Sequence, residues 1–199
     1  MPSNKGRTFP PEPLTADEVK RLIMACSNRA PTGIRNRALI VILYRGGLRI
    51  SEALALRPKD IDSMVGAIRI LHGKGNRART IGLDSIAFAM IDRWLDMRAK
   101  LGITGHSPLF CTLRGDQIRS AYVRRLLPRL GRKADIAKRV HAHGLRHTHA
   151  AELAAEGVPV NVVARQLGHS NIGTTSRYLD HIKPTQLIAV MRSRAWVAP

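Results

Sequence analysis

The spacing of apolar residues predicts helices over most of the first 56 residues. Between residues 15 and 28 they recur every three or four positions, and Thr15-Ala-Asp-Glu18 forms a capping box at the start of that stretch. An apolar-rich segment over residues 34–44 predicts a buried helix that ends at Gly46-Gly47. A short helix is expected over residues 50–56, because Pro58 stops it.

The pattern changes between residues 61 and 83 to short runs that are typical of β-strands. Residues 67–71 and 79–83 flank Gly73-Lys74-Gly75-Asn76. This arrangement predicts a β-hairpin with a charged tip.

Four further helices are predicted in the rest of the chain, over residues 85–100, 120–134, 145–156 and 159–167. Gly157 follows the third as a terminator, and Pro159 lies in the first turn of the fourth. Pro128 falls within residues 120–134, so a kink or a break is expected there. The whole pattern predicts an α+β fold that is mainly helical, with a small β-hairpin or sheet.

The length of 199 residues is enough for one domain of ordinary size, which we assign to residues 14–183. Residues 1–13 are rich in proline and carry basic side chains, so they are expected to form a flexible tail. Residues 184–199 are expected to form a C-terminal helix or tail.

The charge balance points to a polyanionic partner. Thirty-three Lys and Arg residues against 14 Asp and Glu give a formal charge of +19. A ribosomal or membrane-surface protein would also fit this charge, and it does not distinguish RNA from DNA. Cys26 and Cys111 have neither metal-site nor disulfide spacing, and no run approaches the roughly 18 apolar residues of a membrane span, which favours a reduced, cytoplasmic protein.

Two short segments place cations at turns. In the first, Gly46-Gly47 precedes Arg49 at the mouth of a helix, and Glu52 is spaced to turn back toward it. In the second, the hairpin tip holds Lys74 between two glycines, which would let a partner approach the backbone closely. Either segment alone is more typical of a solvated surface.

Three later segments contain histidine or tyrosine. Residues 141–149 hold four histidines, which invites a metal hypothesis, but no thiolate or carboxylate accompanies them, so no metal is predicted. His143 and Arg146 lie three residues apart at the start of a helix. His169 follows at the end of the next helix, and Tyr178 lies nine residues beyond it.

The order Arg, Lys, His-x-x-Arg, His, Tyr resembles that of the tyrosine recombinases, also called the phage integrase family. The resemblance covers residues 15–183. Three segments are close to the family's usual motifs: Gly-Leu-Arg-Ile-Ser-Glu, His-Gly-Leu-Arg-His-Thr and Leu-Gly-His-Ser. It implies a tyrosine recombinase catalytic domain in which the hairpin carries a catalytic lysine. Most members have a separate helical domain first, so this chain is either naturally short, like the fimbrial inversion recombinases, or trimmed.

By this resemblance, Arg49 and Arg146 clamp the non-bridging oxygens of the scissile phosphate, and His169 donates a further hydrogen bond to it. Glu52 would orient Arg49. A guanidinium suits this task because it stays charged and can bind phosphate through two hydrogen bonds.

The resemblance also makes Tyr178 the nucleophile, which becomes joined to DNA as a 3′-phosphotyrosine. His143 would act as general base or proton relay, with His147 in support, and Lys74 would protonate the leaving 5′ oxygen. No metal, ATP or other cofactor is implied.

The implied partner is a double-stranded recombination site, bound by a homotetramer that assembles on DNA from free monomers. Residues 184–199 could dock on a neighbouring protomer, and an accessory or core-binding factor could assist. The protein would be bacterial or phage-encoded, cytoplasmic and associated with the nucleoid. Candidate DNA contacts are Arg77, Arg79, Arg119, Arg124, Arg125 and Arg177.

Two other functions stay open at this point: a type IB topoisomerase-like relaxing enzyme, and a DNA-binding regulator that kept the fold. The leading expectation from the resemblance is site-specific recombination, which comprises integration, excision, inversion and resolution.

Overall fold

The computed structural model describes residues 12–71, 78–168 and 192. Most of the predicted N-terminal tail and C-terminal segment therefore lies outside the described residues. So do five predicted site residues, namely Lys74, Arg77, His169, Arg177 and Tyr178.

The first helix, α1 (Ala16–Met24), begins with the predicted capping box. The Thr15 hydroxyl accepts a hydrogen bond from the Glu18 backbone, and the Glu18 carboxylate accepts one from the Thr15 backbone at 2.7 Å. The helix ends four residues earlier than predicted. The Ser27 hydroxyl accepts hydrogen bonds from the backbone of Arg29 and Ala30, which stabilises a turn in place of another helical turn.

The second helix, α2 (Pro31–Arg45), forms the centre of the molecule and is buried on most of its circumference. Pro31 occupies its first turn, where the missing N–H has no helical partner to lose. Gly47, with a φ of +59°, turns the chain into α3 (Ile50–Ala55). A 3₁₀ turn over Pro58–Asp60 then leads into the sheet.

The sheet confirms the predicted hairpin and adds a strand. Strands β1 (Ile61–Asp62), β2 (Ala67–Ile70) and β3 (Arg79–Gly82) are antiparallel in that order. In the hairpin register, Ile70 faces Arg79. Strand β1 was missed because two residues are too few for a periodic signal.

Helices α4 (Ser85–Lys100) and α5 (Ser120–Lys133) agree with their predicted ranges. The predicted break at Pro128 is wrong, because α5 continues through it. A proline inside a helix costs about 3 kcal/mol. Burial of four apolar residues on the opposite face of the helix offsets this cost: Val123, Leu126, Leu127 and Leu130.

Helices α6 (Ala142–Ala155) and α7 (Val160–Leu167) complete the described fold. Helix α6 begins three residues earlier than predicted, and it ends before Gly157, whose φ is +77°. Pro159 is the residue before α7, and Gly168, with a φ of +68°, ends that helix. Helix α7 packs beside β3.

The core is built mainly from aliphatic residues around two fully buried aromatic side chains, Trp94 and Phe110. Helices α4 and α6 both pack against α2 in it. The prediction of a mainly helical α+β fold with a small sheet is confirmed. Within the described ranges, no helix is long and apolar enough to cross a membrane.

Candidate active site

Arg49 lies at the end of the loop before α3, and Glu52 of α3 binds it, as the sequence predicted. One oxygen of Glu52 accepts a hydrogen bond from the Arg49 backbone at 2.9 Å, and the other accepts one from its guanidinium at 2.8 Å. The Glu52 side chain is only 2% exposed, whereas that of Arg49 is 31% exposed. Glu52 therefore fixes Arg49 from the protein side while the guanidinium reaches the surface.

Arg79, at the start of β3, forms a second ion pair with the same carboxylate. Its two terminal nitrogens donate to the two oxygens of Glu52 at 2.9 and 3.0 Å. Burial would raise the pKa of Glu52, but the hydrogen bonds from Arg79 and Arg49 outweigh it and hold that pKa below its ordinary value. Glu52 is therefore ionised at neutral pH.

Arg146, on α6, is buried and joins two distant segments. Its guanidinium donates to the carbonyl oxygen of Gly47 at 2.6 Å and to that of Leu167 at 2.7 Å. The first bond reaches the loop that precedes Arg49, and the second reaches the end of α7, two residues before His169. These bonds fix the guanidinium between both segments.

Two glycines let these segments come close together. A Cβ atom on Gly47 would lie 2.6 Å from a methyl carbon of Leu167 and 2.9 Å from the His149 ring. A Cβ atom on Gly168 would lie 2.7 Å from the guanidinium carbon of Arg79. Both glycines also have positive φ angles, so two independent constraints favour glycine at each position.

His143 and His147 stack edge to face on α6, with ring centroids 4.2 Å apart and planes at 84°. Although part of the His143 residue is open to solvent, partial enclosure of the ring lowers its pKa, and the positive charges of Arg146, His141 and Arg49 lower it further. The ring is therefore neutral at physiological pH, the form that a proton acceptor needs.

The other two histidines of the cluster have different surroundings. A ring nitrogen of His141 lies 3.1 Å from the Arg139 carbonyl oxygen. The His149 ring is buried, and neither of its nitrogens has a hydrogen-bond partner among the described residues. Burial and nearby positive charge lower its pKa to about 4. Across the described ranges, no group of three or more His, Cys, Asp or Glu residues is arranged to hold a metal ion.

The structure thus brings together Arg49, Glu52, His143 and Arg146, with His147 beside His143. The three predicted residues Lys74, His169 and Tyr178 lie outside the described ranges, but described residues close in sequence to Lys74 and His169 lie at this site. Arg79 follows Lys74 by five residues, and Gly168 directly precedes His169.

The predicted DNA contacts lie in two different settings. Arg119, Arg124 and Arg125 are exposed at and near the start of α5, a helix that contains no acidic residue. The Arg79 side chain is only 13% exposed, and its guanidinium is occupied by Glu52. That pair was missed because its members are 27 residues apart and only the fold brings them together.

Comparison with known proteins gives consistent matches. The model of the phage integrase family matches residues 12–184. Over 183 residues the chain is 31% identical to tyrosine recombinase XerC of Staphylococcus epidermidis, which covers 92% of this chain and 61% of that protein. Over 170 residues it is 36% identical to tyrosine recombinase XerD of Ralstonia nicotianae, which covers 84% of this chain and 55% of that protein. The chain therefore spans little more than half the length of these relatives.

Solved structures agree with this result. The XerA recombinase superposes with a TM-score of 0.80 at 28% identity, over 98% of this chain and 70% of that one. The XerH site-specific recombinase, in a post-cleavage complex with its difH substrate, gives a TM-score of 0.76 at 28% identity, over 90% of this chain and 52% of that one. Because the family match extends over most of its residues, the chain belongs to the phage integrase family.

Proposed function

We propose that this chain carries the catalytic centre of a site-specific DNA recombinase that cuts and rejoins DNA through a 3′-phosphotyrosine intermediate. The observation that carries the proposal is the convergence of Arg49, Arg146 and His143, from two separate motifs, around the loop at Gly47. Membership of the phage integrase family and the names of the relatives, tyrosine recombinases, support the same chemistry.

The two arginines would bind the non-bridging oxygens of the scissile phosphate, and His169 would add a hydrogen bond there. Guanidinium groups suit the negative charge that builds up as phosphorus becomes pentacoordinate. Arg146 is fixed by backbone carbonyls and Arg49 by Glu52. Both charges would therefore be oriented before DNA arrives, and donors oriented in advance lose little energy to rearrangement.

Tyr178 would attack phosphorus through its phenolic oxygen. The ordinary pKa of tyrosine is about 10, so its proton needs an acceptor, and the neutral ring of His143 supplies one, with His147 in support. As the bond between phosphorus and the 5′ oxygen breaks, Lys74 would give that oxygen a proton. The products are a 3′-phosphotyrosine and a free 5′ hydroxyl.

Rejoining would reverse these steps with the 5′ hydroxyl of a second duplex as the nucleophile. The phosphotyrosine ester keeps the energy of the broken phosphodiester. The scheme therefore uses no metal, nucleotide or other cofactor.

The proposed partner is a double-stranded recombination site. The charge of +19 and the exposed arginines of α5 suit the phosphate backbone, and the related XerH recombinase was solved bound to its difH substrate. The proposal includes a tetramer that assembles on DNA from monomers through residues 184–199. It also includes an accessory or core-binding factor and association with the nucleoid.

The test begins with selection of a bound duplex from a random-sequence pool, hereafter the selected duplex. Two molecules that carry this sequence are then incubated with the protein. Strand exchange between them is the expected result. Relaxation of supercoiled DNA without exchange would favour the topoisomerase-like alternative, and binding without cleavage would favour the regulator.

A further inference from the structure

Arg79 occupies the protein side of the site, although its sequence position suggested a DNA contact. It is the first residue of β3, opposite Ile70 of β2, in the strand pair nearest the hairpin turn. Both of its terminal nitrogens donate to Glu52, and both members of the pair are largely buried. A guanidinium bound in this bidentate way has a fixed plane and a fixed position.

Glu52 divides its four hydrogen bonds equally between the two arginines. One oxygen accepts from the guanidinium of Arg49 and the other from the Arg49 backbone, and each also accepts from Arg79. An ionised carboxylate has about four acceptor positions, so this set satisfies it fully. Loss of Arg79 would leave two positions unfilled, and the carboxylate could then rotate away from Arg49.

The two arginines differ in how they can meet a substrate. The Arg49 side chain is 31% exposed, and a single terminal nitrogen binds Glu52. The Arg79 side chain is 13% exposed, and both terminal nitrogens bind Glu52. A phosphate can therefore reach Arg49, whereas the charge of Arg79 is already paired with a carboxylate. Burial alone does not decide this, because Arg146 is also buried, but its guanidinium donates to the neutral carbonyls of Gly47 and Leu167.

The other side of Arg79 is closed by the end of α7. The Gly168 backbone packs against the guanidinium, since a Cβ atom there would lie 2.7 Å away. The Gln166 side chain binds both the N–H and the carbonyl of Gly82, which ties β3 to α7. These contacts hold Arg79 in place independently of Arg49.

We infer that Arg79 is a positioning residue that orients Arg49 through their shared carboxylate, Glu52, and that it does not contact DNA. This inference rests on the proposed function, because it assigns Arg79 a duty in the same cleavage reaction. It replaces the predicted phosphate contact at this position with an indirect effect on the charge that faces the scissile phosphate.

The test compares cleavage of two nicked versions of the selected duplex in single turnover. One has an ordinary scissile phosphate, and the other has a methylphosphonate, which lacks the negative charge that Arg49 would stabilise. On the ordinary duplex, Arg79→Met should cleave about 10²-fold slower than the parent, the usual effect of misplacing a group at the reacting centre. On the methylphosphonate duplex, the cleavage rates of Arg79→Met and the parent should agree within a few-fold. An equal defect on both duplexes would overturn the inference, because it would mean that Arg79 does not act through Arg49.

The matched control is Arg69→Met, which removes one exposed cation from the neighbouring strand of the same sheet. It measures the cost of losing one positive charge near this site. A second readout is the salt dependence of binding. Each lost phosphate contact lowers the slope of log K against log salt by about 0.9, so Arg79→Met should leave the slope unchanged, and a fall of about that size would reveal a direct DNA contact.

Arg79→Lys keeps a cation beside Glu52 and serves if Arg79→Met does not fold. The lysine cannot bridge both oxygens of Glu52, so this variant should cleave the ordinary duplex more slowly than the parent, but with a smaller defect than Arg79→Met. On the methylphosphonate duplex its cleavage rate should again approach that of the parent. The parent protein distinguishes a failure of the proposed function from a failure of the role assigned to Arg79. If the parent forms no covalent adduct, the proposed function fails, whereas an active parent with an unrescued Arg79 variant refutes the inference alone.

Discussion

Replacement of Glu52 by glutamine is expected to lower the free energy of unfolding by about 3 kcal/mol at neutral pH. The Glu52 side chain is 2% exposed and accepts four hydrogen bonds from two arginines. Removing one charge from a buried ion pair costs about 3–5 kcal/mol. Glutamine keeps the shape and one acceptor oxygen, so the lower end of this range applies, although its NH₂ group would face arginine donors.

Thermal and urea unfolding measure this effect. For a chain of 150–250 residues, 1 kcal/mol changes Tm by about 2–4 °C, so a fall of about 6–12 °C is expected. The matched control is Glu156→Gln, because Glu156 is exposed just after α6. That change should alter stability by no more than about 0.5 kcal/mol.

The pH dependence of the same difference gives an independent test. The pKa of Glu52 is lowered in the folded protein, so its ionised form contributes stability above the unfolded value, near 4.5. This contribution is lost as the pH falls from there through the folded pKa. The gap between the parent and Glu52→Gln should therefore be full at neutral pH and should narrow in acid. A gap below about 1 kcal/mol, or one that stays constant from about pH 5 to about pH 3, would refute this account of the ion pairs.

Three further predictions concern the site. Gly47→Ala and Gly102→Ala both place alanine at a positive φ, but of the two only Gly47 has described side chains within contact distance, so urea unfolding should show a clearly larger loss of stability for Gly47→Ala. Equal losses of stability would mean that the loop at Gly47 moves to make room for the added methyl group. Lys74→Ala should cleave ordinary DNA about 10²- to 10⁴-fold slower than the parent, and its cleavage rate should recover when sulfur replaces the bridging 5′ oxygen, because a leaving thiolate needs no proton. The cleavage rate of Arg146→Ala should not recover on the sulfur substrate, and equal rescue of both variants would exclude Lys74 as the acid. Because the pKa of His143 lies below its ordinary value of 6.5, the cleavage rate should not change with pH above pH 6.5 and should fall at lower pH, where the ring becomes protonated. His143→Gln should abolish this pH dependence, and an unchanged pH profile in that variant would exclude His143 as the base.

The sequence predicted those parts of the fold that depend on local chemistry. The capping box at Thr15 uses residues three apart, and the structure contains both of its hydrogen bonds. The hairpin has the strand pairing expected from two runs that flank a glycine-rich turn. The same holds for Arg49 and Glu52, which are neighbours on one helical turn and form the expected ion pair.

Tertiary contacts limited the other predictions. The second arginine on Glu52 comes from a strand 27 residues away, and no local pattern indicates which of several basic residues will be buried. Helix α5 continues through Pro128 because burial along its apolar face outweighs a local preference. His149 belonged to an apparent histidine cluster, yet the fold buries it against the loop at Gly47.

The measurement that tests the central claim most directly is covalent capture of nicked selected duplex by the parent protein and by Tyr178→Phe. The parent should give an adduct that survives denaturation, and peptide mapping by mass spectrometry should locate a 3′-phosphate on Tyr178. Tyr178→Phe should bind the duplex about as tightly as the parent but give no adduct, because only the nucleophilic oxygen is removed. An adduct that persists in Tyr178→Phe, or a parent adduct that maps to another residue, would contradict the account.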